Sequence, residues 1–192
     1  MPAFTYTGNY SSLSGWMWFT DRLDIADEGW KLHVSGNARF GQAILDRVLP
    51  VLQNGMVGHK FLATSEEVEA LHGLQRGKML AVYPDSIVQA FMVVTEIDRA
   101  LVGVVGRHDV PCIVQEKWVG RTVVYTRYGA YNSSIYHPTR DIYVDDSIGE
   151  TAPPWVSDPW GLYSANPDWR AVTAHQPWPR HSKEGHRRMG RK

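Results

Sequence analysis

The fold of this chain is decided by the stretch Trp30-Lys31-Leu32-His33-Val34-Ser35, in which apolar and polar side chains alternate. Alternation with a period of two is typical of a β-strand, because successive side chains point to opposite faces of a sheet. Lys31 and His33 therefore share one face, and the apolar side chains share the other. The sequence predicts a strand with one apolar face and one cationic, titratable face. An exposed strand whose polar side meets water fits the same pattern.

A second predicted strand, His59–Ala63, carries Lys60 between His59 and Phe61. Another core-facing side chain would be equally natural at the position of Lys60. If this strand neighbours the first, Lys60 joins Lys31 and His33. Two lysines and a histidine on neighbouring strands would form a site for an anion and a proton relay.

The composition is that of an ordinary globular protein, with 192 residues, 43% apolar and 21% charged side chains. The chain is long enough for one domain with a substantial core. No apolar run is long enough to cross a bilayer, and the N-terminal residues lack the basic and apolar regions expected of a signal peptide. Cys112 is the single cysteine and excludes an internal disulfide, which favours a cytoplasmic location. The cysteine and eight histidines show no zinc-binding spacing, so no metal is expected.

The charge is unevenly distributed, although the net charge is zero. Residues 176–192 carry six basic side chains against Glu184, a charge of +5, and residues 1–175 therefore carry −5. Such a tail is typical of a disordered, solvated segment, and an acidic partner peptide is the alternative. No motif indicates nucleic-acid binding. The domain is expected to comprise residues 1–175, followed by the basic tail.

Strands and helices alternate along the chain. Helices are predicted over 38–53, from the capping box of Thr64 and Glu67 to about Leu74, and from Asp85 or Ser86 to about Leu101. Further strands are predicted over 78–83 and 121–128, short strands or an ordered lead-in over 1–29, an irregular segment over 103–119 and an extended cover over 153–160. This alternation indicates a mixed α/β or α+β layer fold.

Five motifs in order carry a family resemblance across roughly residues 29–160. They are Gly29-Trp30-Lys31-Leu32-His33-Val34-Ser35, Lys60-Phe61-Leu62, Gly77-Lys78 with Tyr83-Pro84, Arg127-Tyr128-Gly129-Ala130-Tyr131, and Pro153-Pro154-Trp155-Val156-Ser157-Asp158-Pro159. Together they resemble the lyase domain of class III and class IV lanthipeptide synthetases, which is itself similar to the type III effector phosphothreonine lyases. The resemblance implies an α+β fold with a twisted, mostly antiparallel sheet and flanking helices, as in the phosphothreonine lyases.

The resemblance also implies a reaction, the β-elimination of phosphate from phosphoserine or phosphothreonine to give dehydroalanine or dehydrobutyrine. Lys60 matches the general base that removes the α-proton. His33 matches the general acid that protonates the departing phosphate, and Lys31 matches the lysine beside it. No cofactor is implied.

Four cationic residues are candidates for binding the substrate phosphate under the same resemblance. Arg127 matches a phosphate-binding arginine, Lys78 matches the lysine of the Gly-Lys motif, and Arg76 lies near a second phosphate-binding arginine. The effector lyases have another arginine where this chain has Asn132–Ser134, and Arg140 is the candidate to replace it. The structural alternatives are a solvated Lys78, an Arg127 stacked between its neighbouring tyrosines, and surface charges at Arg76 and Arg140.

General chemistry favours this residue set. An α-proton beside an amide is weakly acidic, so a base must act while charge on the enolate and the leaving group is stabilised. A lysine has an ordinary pKa of about 10.4, and a neighbouring cation such as Lys31 would lower it toward the neutral amine. Arginine binds phosphate through paired hydrogen bonds, and an imidazolium such as that of His33 can release a proton near neutral pH.

The synthetase lyase domain is followed by kinase and cyclase domains, whereas this sequence shows no glycine-rich nucleotide loop and no kinase signature. The expectation is therefore a free-standing lyase, as in class V lanthipeptide and thioamide-peptide pathways. Its partners would be a phosphorylated precursor peptide and a separate Ser/Thr kinase. Two alternatives are an effector-type lyase that acts on a host protein and a non-catalytic relative that binds a leader peptide or the kinase.

Overall fold

The computed structural model describes residues 3–22, 25–131, 134–137, 142–145 and 156–165. The strands are β1 (Tyr10–Leu13), β2 (Trp16–Phe19), β3 (Glu28–Ser35), β4 (Gly58–Phe61), β5 (Lys78–Tyr83), β6 (Lys117–Val119), β7 (Val124–Ala130), β8 (Ser134–His137) and β9 (Ile142–Asp145). The helices are α1 (Gly41–Asn54), α2 (Ser65–Glu69), α3 (Ile87–Leu101) and α4 (Trp160–Ala165). Within these ranges, no helix is both long enough and apolar enough to cross a membrane.

Seven strands form one sheet in the order β1-β2-β4-β5-β3-β7-β6, and every neighbouring pair is antiparallel. A separate two-stranded sheet consists of β8 and β9. The predicted α+β class with a mostly antiparallel sheet is thereby confirmed. The strand that opens the sequence argument, β3, lies between β5 and β7, inside the larger sheet.

One face of the large sheet is apolar and packs in the main core with α1 and α3. Leu32 and Val34 of β3 are 0% exposed, as are Ile44 and Val48 of α1. Each such side chain contributes on the order of 1.5–3 kcal/mol of burial free energy. The predicted apolar face of β3 is therefore confirmed. Lys31 and His33 lie on the other face of the sheet.

Several predicted boundaries differ from the structure. The helix expected to continue to Leu74 ends at Glu69, and His72 then adopts an extended backbone, with φ −136° and ψ 169°, before the 3-10 turn Gly73–Gln75. Pro50 lies inside α1 at an exposed position. Proline has no backbone N–H, so the carbonyl four residues earlier lacks its helical donor and can bond to water instead. The segment expected to be irregular over 103–119 ends in β6, and the strand expected over 121–128 begins at Val124.

The capping residues behave as the sequence predicts. Thr64 accepts a hydrogen bond from the Glu67 backbone while the Glu67 side chain returns to the Thr64 backbone, which completes the capping box. The Ser86 hydroxyl accepts from Gln89 N at 3.1 Å and starts α3.

At the other end of the chain, Trp160 was expected in an extended cover but begins α4 and is buried. Residues 153–155 of that predicted cover lie outside the described ranges.

A buried histidine connects the β1–β2 hairpin with β4 and α1. His59 Nδ1 donates to the Val57 carbonyl at 2.7 Å, so Nε2 accepts from the Tyr10 hydroxyl at 2.8 Å. That hydroxyl in turn accepts from the Gln53 amide at 2.9 Å. Burial lowers the pKa of His59 to about 4, although the hydrogen bond to Val57 opposes the shift.

We expect this histidine to make the protein sensitive to mild acid. Since the pKa is lower in the folded state, the unfolded chain binds the proton more tightly, and stability falls as pH drops from 6.5 to about 4. The loss approaches about 3 kcal/mol at the lower end. Urea unfolding across this range measures it. The His59→Gln variant should show a flatter pH dependence, the exposed His72→Gln control should follow the wild type, and parallel curves for all three would contradict the assignment.

Candidate functional site

The second face of β3, which carries Lys31 and His33, is buried as well. The alternative of a strand whose polar side meets water is therefore wrong. Lys31 is 2% exposed and His33 is 6% exposed, on the face opposite the main core. A buried lysine costs free energy unless other groups of the site compensate it. Such a face is typical of a functional pocket rather than of a solvated sheet surface.

Lys60 and His33 lie in one row that crosses the sheet. The strand register pairs Trp18 with Lys60, Lys60 with Ala81, and Ala81 with His33. Residues paired in this way point to the same face. With one strand between them, the two Cα atoms are roughly 10 Å apart. Ala81 has the smallest side chain of the row, so only a methyl group stands between the lysine and the histidine within it.

The adjoining row brings further cations to this face. Lys31 pairs with Arg127 across β3 and β7, two residues from His33 on the same side of its strand. Lys31 Nζ and Lys60 Nζ each lie 5.9 Å from the ring centroid of Tyr83. Both lysines therefore converge on one aromatic ring. The buried ring of Tyr83 therefore forms part of the polar face.

Lys60 is held by two indole rings of β2. Its Nζ lies 4.7 Å from the ring centroid of Trp16 and 4.6 Å from that of Trp18. Trp18 also stacks on Tyr83, with centroids 5.7 Å apart and planes 4° from parallel. Cation–π contacts of this kind contribute about 0.5–2 kcal/mol each while the lysine is charged, and they fix the position of its amine. Trp16 and Trp18 of β2 thus belong to the site, and no pattern in the sequence indicated this.

Glu116 is the site residue that sequence reasoning missed. Its Oε2 is 2.7 Å from His33 Nδ1, and its Oε1 is 2.9 Å from Lys78 Nζ and 3.7 Å from Arg127 Nε. The side chain is only 1% exposed. Glu116 stands just before β6, in a segment predicted to be irregular. In the sequence, Glu116 was marked only by its position directly before Lys117 and Trp118, which belong to the edge strand β6.

The charges at Glu116 and His33 are set by competition between burial and neighbours. Burial raises the pKa of Glu116, but the charges and hydrogen bonds of His33 and Lys78 outweigh it and lower the pKa to about 2. Burial lowers the pKa of His33, and the two lysines add to this while Glu116 opposes it. The carboxylate is therefore ionised, and without substrate the imidazole is neutral at pH 7.

The segment that carries Glu116 is fastened over the end of β3 and β5. Ser35 Oγ donates to the Pro111 carbonyl at 2.5 Å, and the Asn37 amide donates to the Asp109 carbonyl at 2.8 Å. Gly77 has a φ of 86°, and a Cβ there would lie 2.9 Å from Ser35 Oγ. This close turn requires glycine and places Lys78 directly beneath the segment.

The four predicted phosphate-binding residues differ in position, and of those in the described part of the chain only Lys78 and Arg127 lie beside Glu116. Lys78 is 4% exposed and ion-paired, so the alternative of a solvated strand residue is wrong. Arg127 approaches Glu116, while Tyr128 packs on Trp30 in the core on the opposite face of the sheet, which disfavours the alternative of an arginine stacked between two tyrosines. Arg76 is exposed in the turn before β5. Arg140 lies outside the described residues.

The part of the chain that the structure describes contains no group of three His, Cys, Asp or Glu side chains suited to a metal ion. The polar face is instead rich in nitrogen-bearing cations, with Lys31, Lys60, Lys78 and Arg127 around one carboxylate and one imidazole. Such a set can bind an anion and exchange protons with it.

Comparison with known proteins gives a family match and a similar protein. The family described as "RamC, N-terminal domain" matches residues 9–185, which includes every strand and helix described above. The chain is also 29% identical over 144 residues to a protein of Streptomyces coelicolor named "Probable SapB synthase". That alignment covers 72% of this chain but only 14% of the synthase, so the chain is similar to a small part of a much longer protein.

Proposed function

Because this chain belongs to the RamC N-terminal domain family, we propose that it is a phosphoserine/phosphothreonine lyase that acts on a ribosomal precursor peptide in lanthipeptide-type biosynthesis. The relative named as a synthase supports a role in making a peptide product. The observation that carries the proposal is the position of Lys60 and His33 in one row, with Lys31 beside them and Ala81 between.

The elimination uses these groups in a balanced step. The neutral amine of Lys60 takes the α-proton of the phosphorylated residue, and the electrons of that C–H bond form the Cα–Cβ double bond. The Cβ–O bond breaks with its electron pair remaining on the phosphate oxygen, which His33 Nε2 protonates. Lys31 and Arg127 offset the charge of the departing phosphate. The products are a dehydroamino acid, phosphate, a Lys60 ammonium and a neutral His33, and proton exchange with solvent restores the enzyme.

The free imidazole of His33 is neutral, yet the leaving group needs a proton. A phosphate monoester carries close to two negative charges at pH 7, and its approach favours the imidazolium. The substrate thus helps to supply the acid that its own departure requires. A Ser/Thr kinase activity must install this phosphate first, and we include such a kinase among the proposed partners.

The test is mass spectrometry of a phosphorylated precursor peptide after incubation with the protein. A lyase removes the mass of phosphoric acid at each site and leaves an alkene that reacts with added thiol. A phosphatase would remove only the mass of metaphosphoric acid and leave a hydroxyl. An unchanged mass would favour a non-catalytic binder and overturn the proposal, whereas elimination from a phosphorylated folded protein but not from a peptide would favour the effector-type alternative.

Replacing Arg127 by methionine should weaken binding of the phosphorylated peptide. A charge-assisted hydrogen bond to phosphate contributes about 1.5–3 kcal/mol, which corresponds to a roughly 10- to 100-fold higher Kd. The unphosphorylated peptide should bind as it does to the wild type. Calorimetric titration with both peptides measures the difference, and Arg121→Met, at an exposed arginine in the turn before β7, serves as the control. Equal losses for the two peptides would contradict a phosphate-binding role.

A further inference from the structure

Glu116 raises a question that anion binding does not answer. A buried carboxylate among cations reduces the attraction of the site for a negatively charged substrate. Its burial also costs several kcal/mol unless it is paired. The close contacts to His33 and Lys78 provide that pairing. A carboxylate kept under these conditions is expected to act on one of its partners.

The contact with His33 fixes which ring nitrogen exchanges protons. An ionised carboxylate only accepts hydrogen bonds, so the 2.7 Å contact requires a proton on His33 Nδ1. The other nitrogen, Nε2, is then the one that can gain or lose a proton. Which nitrogen of a histidine is protonated is generally set in this way by the partner of the other nitrogen.

The contacts of Glu116 give this tautomer a direction. Its carboxylate also contacts Lys78, which pairs with Ser35 at the end of β3. His33 therefore turns Nδ1 toward the Ser35 end of β3. Nε2, on the far side of the ring, is directed away from Glu116 and is the nitrogen that would exchange a proton with the phosphate in the elimination described above.

We propose that Glu116 is a positioning residue that holds His33 as the Nδ1–H tautomer, with Nε2 facing the substrate, and stabilises the imidazolium that forms when phosphate binds. Lys78, in turn, keeps Glu116 ionised and oriented through the 2.9 Å ion pair. This rests on the proposed lyase function for its catalytic consequence, but the tautomer itself is a property of the protein without substrate.

The Glu116→Gln variant tests the tautomer. Lys78 Nζ can only donate, so it draws the amide oxygen of the new side chain and turns the amide NH₂ toward His33 Nδ1. The ring should then switch to the Nε2–H tautomer. Nitrogen-15 NMR of the imidazole at pH 8 distinguishes the two forms, with the His33 signals assigned by comparison with His33→Asn. Unchanged His33 signals in Glu116→Gln would overturn the proposal.

Activity provides the second measurement. With His33 in the wrong tautomer and its imidazolium less stable, we expect kcat for elimination to fall at least about 100-fold, a loss typical of removing general-acid catalysis. The alkaline limb of the pH–rate profile, which reports loss of the proton from His33, should also move to lower pH, while KM changes by less than about threefold. Glu116→Asp retains the charge and should restore the Nδ1–H tautomer and part of kcat. Glu96→Gln, at an exposed glutamate of α3 that pairs with Arg99, should leave both measurements unchanged.

The two proposals can fail separately. If the wild type removes no phosphoric acid but the tautomer switches in Glu116→Gln, the lyase proposal fails and the positioning of His33 stands. If the wild type is active and Glu116→Gln keeps its kcat, its pH profile and its ring signals, the positioning role fails instead. Should Glu116→Gln not fold because Lys78 loses its partner, the double variant Glu116→Gln/Lys78→Met removes that unpaired charge. An NMR titration should then give His33 a lower pKa in the double variant than in Lys78→Met, because the carboxylate that stabilises the imidazolium is gone, and equal values would overturn the positioning role.

Discussion

Replacing Lys60 by methionine is expected to abolish elimination while the peptide still binds. Methionine keeps the length and the apolar stem of the side chain but cannot take a proton. The contribution of a general base is about 10²–10⁴-fold, so kcat should fall by that factor. Loss of the cation between Trp16 and Trp18 is expected to cost no more than about 1–2 kcal/mol of stability. Single-turnover mass spectrometry of the phosphopeptide measures the chemical step directly.

Two further variants make the Lys60 result specific. Lys60→Arg retains the positive charge between the indoles but does not supply a neutral base, so it should be as inactive as the methionine variant. Lys117→Met removes an exposed lysine that pairs with Asp158 at 2.6 Å and should behave as wild type. A Lys60→Met enzyme that retains more than about a tenth of the wild-type rate would exclude Lys60 as the base.

Replacing Phe91 by alanine should cause the largest loss of stability. Phe91 is 0% exposed on α3, and its ring lies 5.1 Å from that of Trp160 and 5.0 Å from that of Tyr163. Truncation removes these aromatic contacts and leaves a cavity at the place where α4 packs on α3. The cost for such a substitution is about 3–5 kcal/mol, measured as a lower free energy of unfolding in urea.

The neighbouring residue provides a matched control for this prediction. Met92 lies next to Phe91 on the same helix but is 46% exposed, so Met92→Ala should change stability by no more than about 0.5 kcal/mol. Alanine has a higher helix propensity than either methionine or phenylalanine, so propensity opposes a loss of stability in both variants. Similar losses for the two would show that the packing of Phe91 against α4 is not the cause.

The fold was predictable where a residue pattern has one physical solution. The period of two in β3 and the hydroxyl caps at Thr64 and Ser86 each specify a local geometry, and the structure has all three. The short helix α2 was not predictable in length, because the backbone becomes extended at His72 although the apolar pattern contains no signal for a helix end there. Nor does the sequence disclose the strand order, since β3 pairs with strands far away in the chain.

The site was predictable to the extent that its residues lie on regular strands. Lys31 and His33 share a face by alternation alone, and the sheet order then brings Lys60 to the same face. Glu116 was not predictable, because it reaches the site from an irregular segment that is fastened by Ser35 and Asn37. The aromatic enclosure of Lys60 was also missed, since it depends on the pairing of β2 with β4.

The place of Ala81 on β5 has a consequence for how this protein can evolve. Leu80 and Val82 face the core, whereas Ala81 and Tyr83 face the polar side. A one-residue insertion or deletion in β5 would exchange the two sets, sending aliphatic bulk between Lys60 and His33 and a tyrosine into the core. A single insertion or deletion in this strand would therefore damage both folding and chemistry. Sequence change in β5 should be confined to substitutions, which keep the register of the strand.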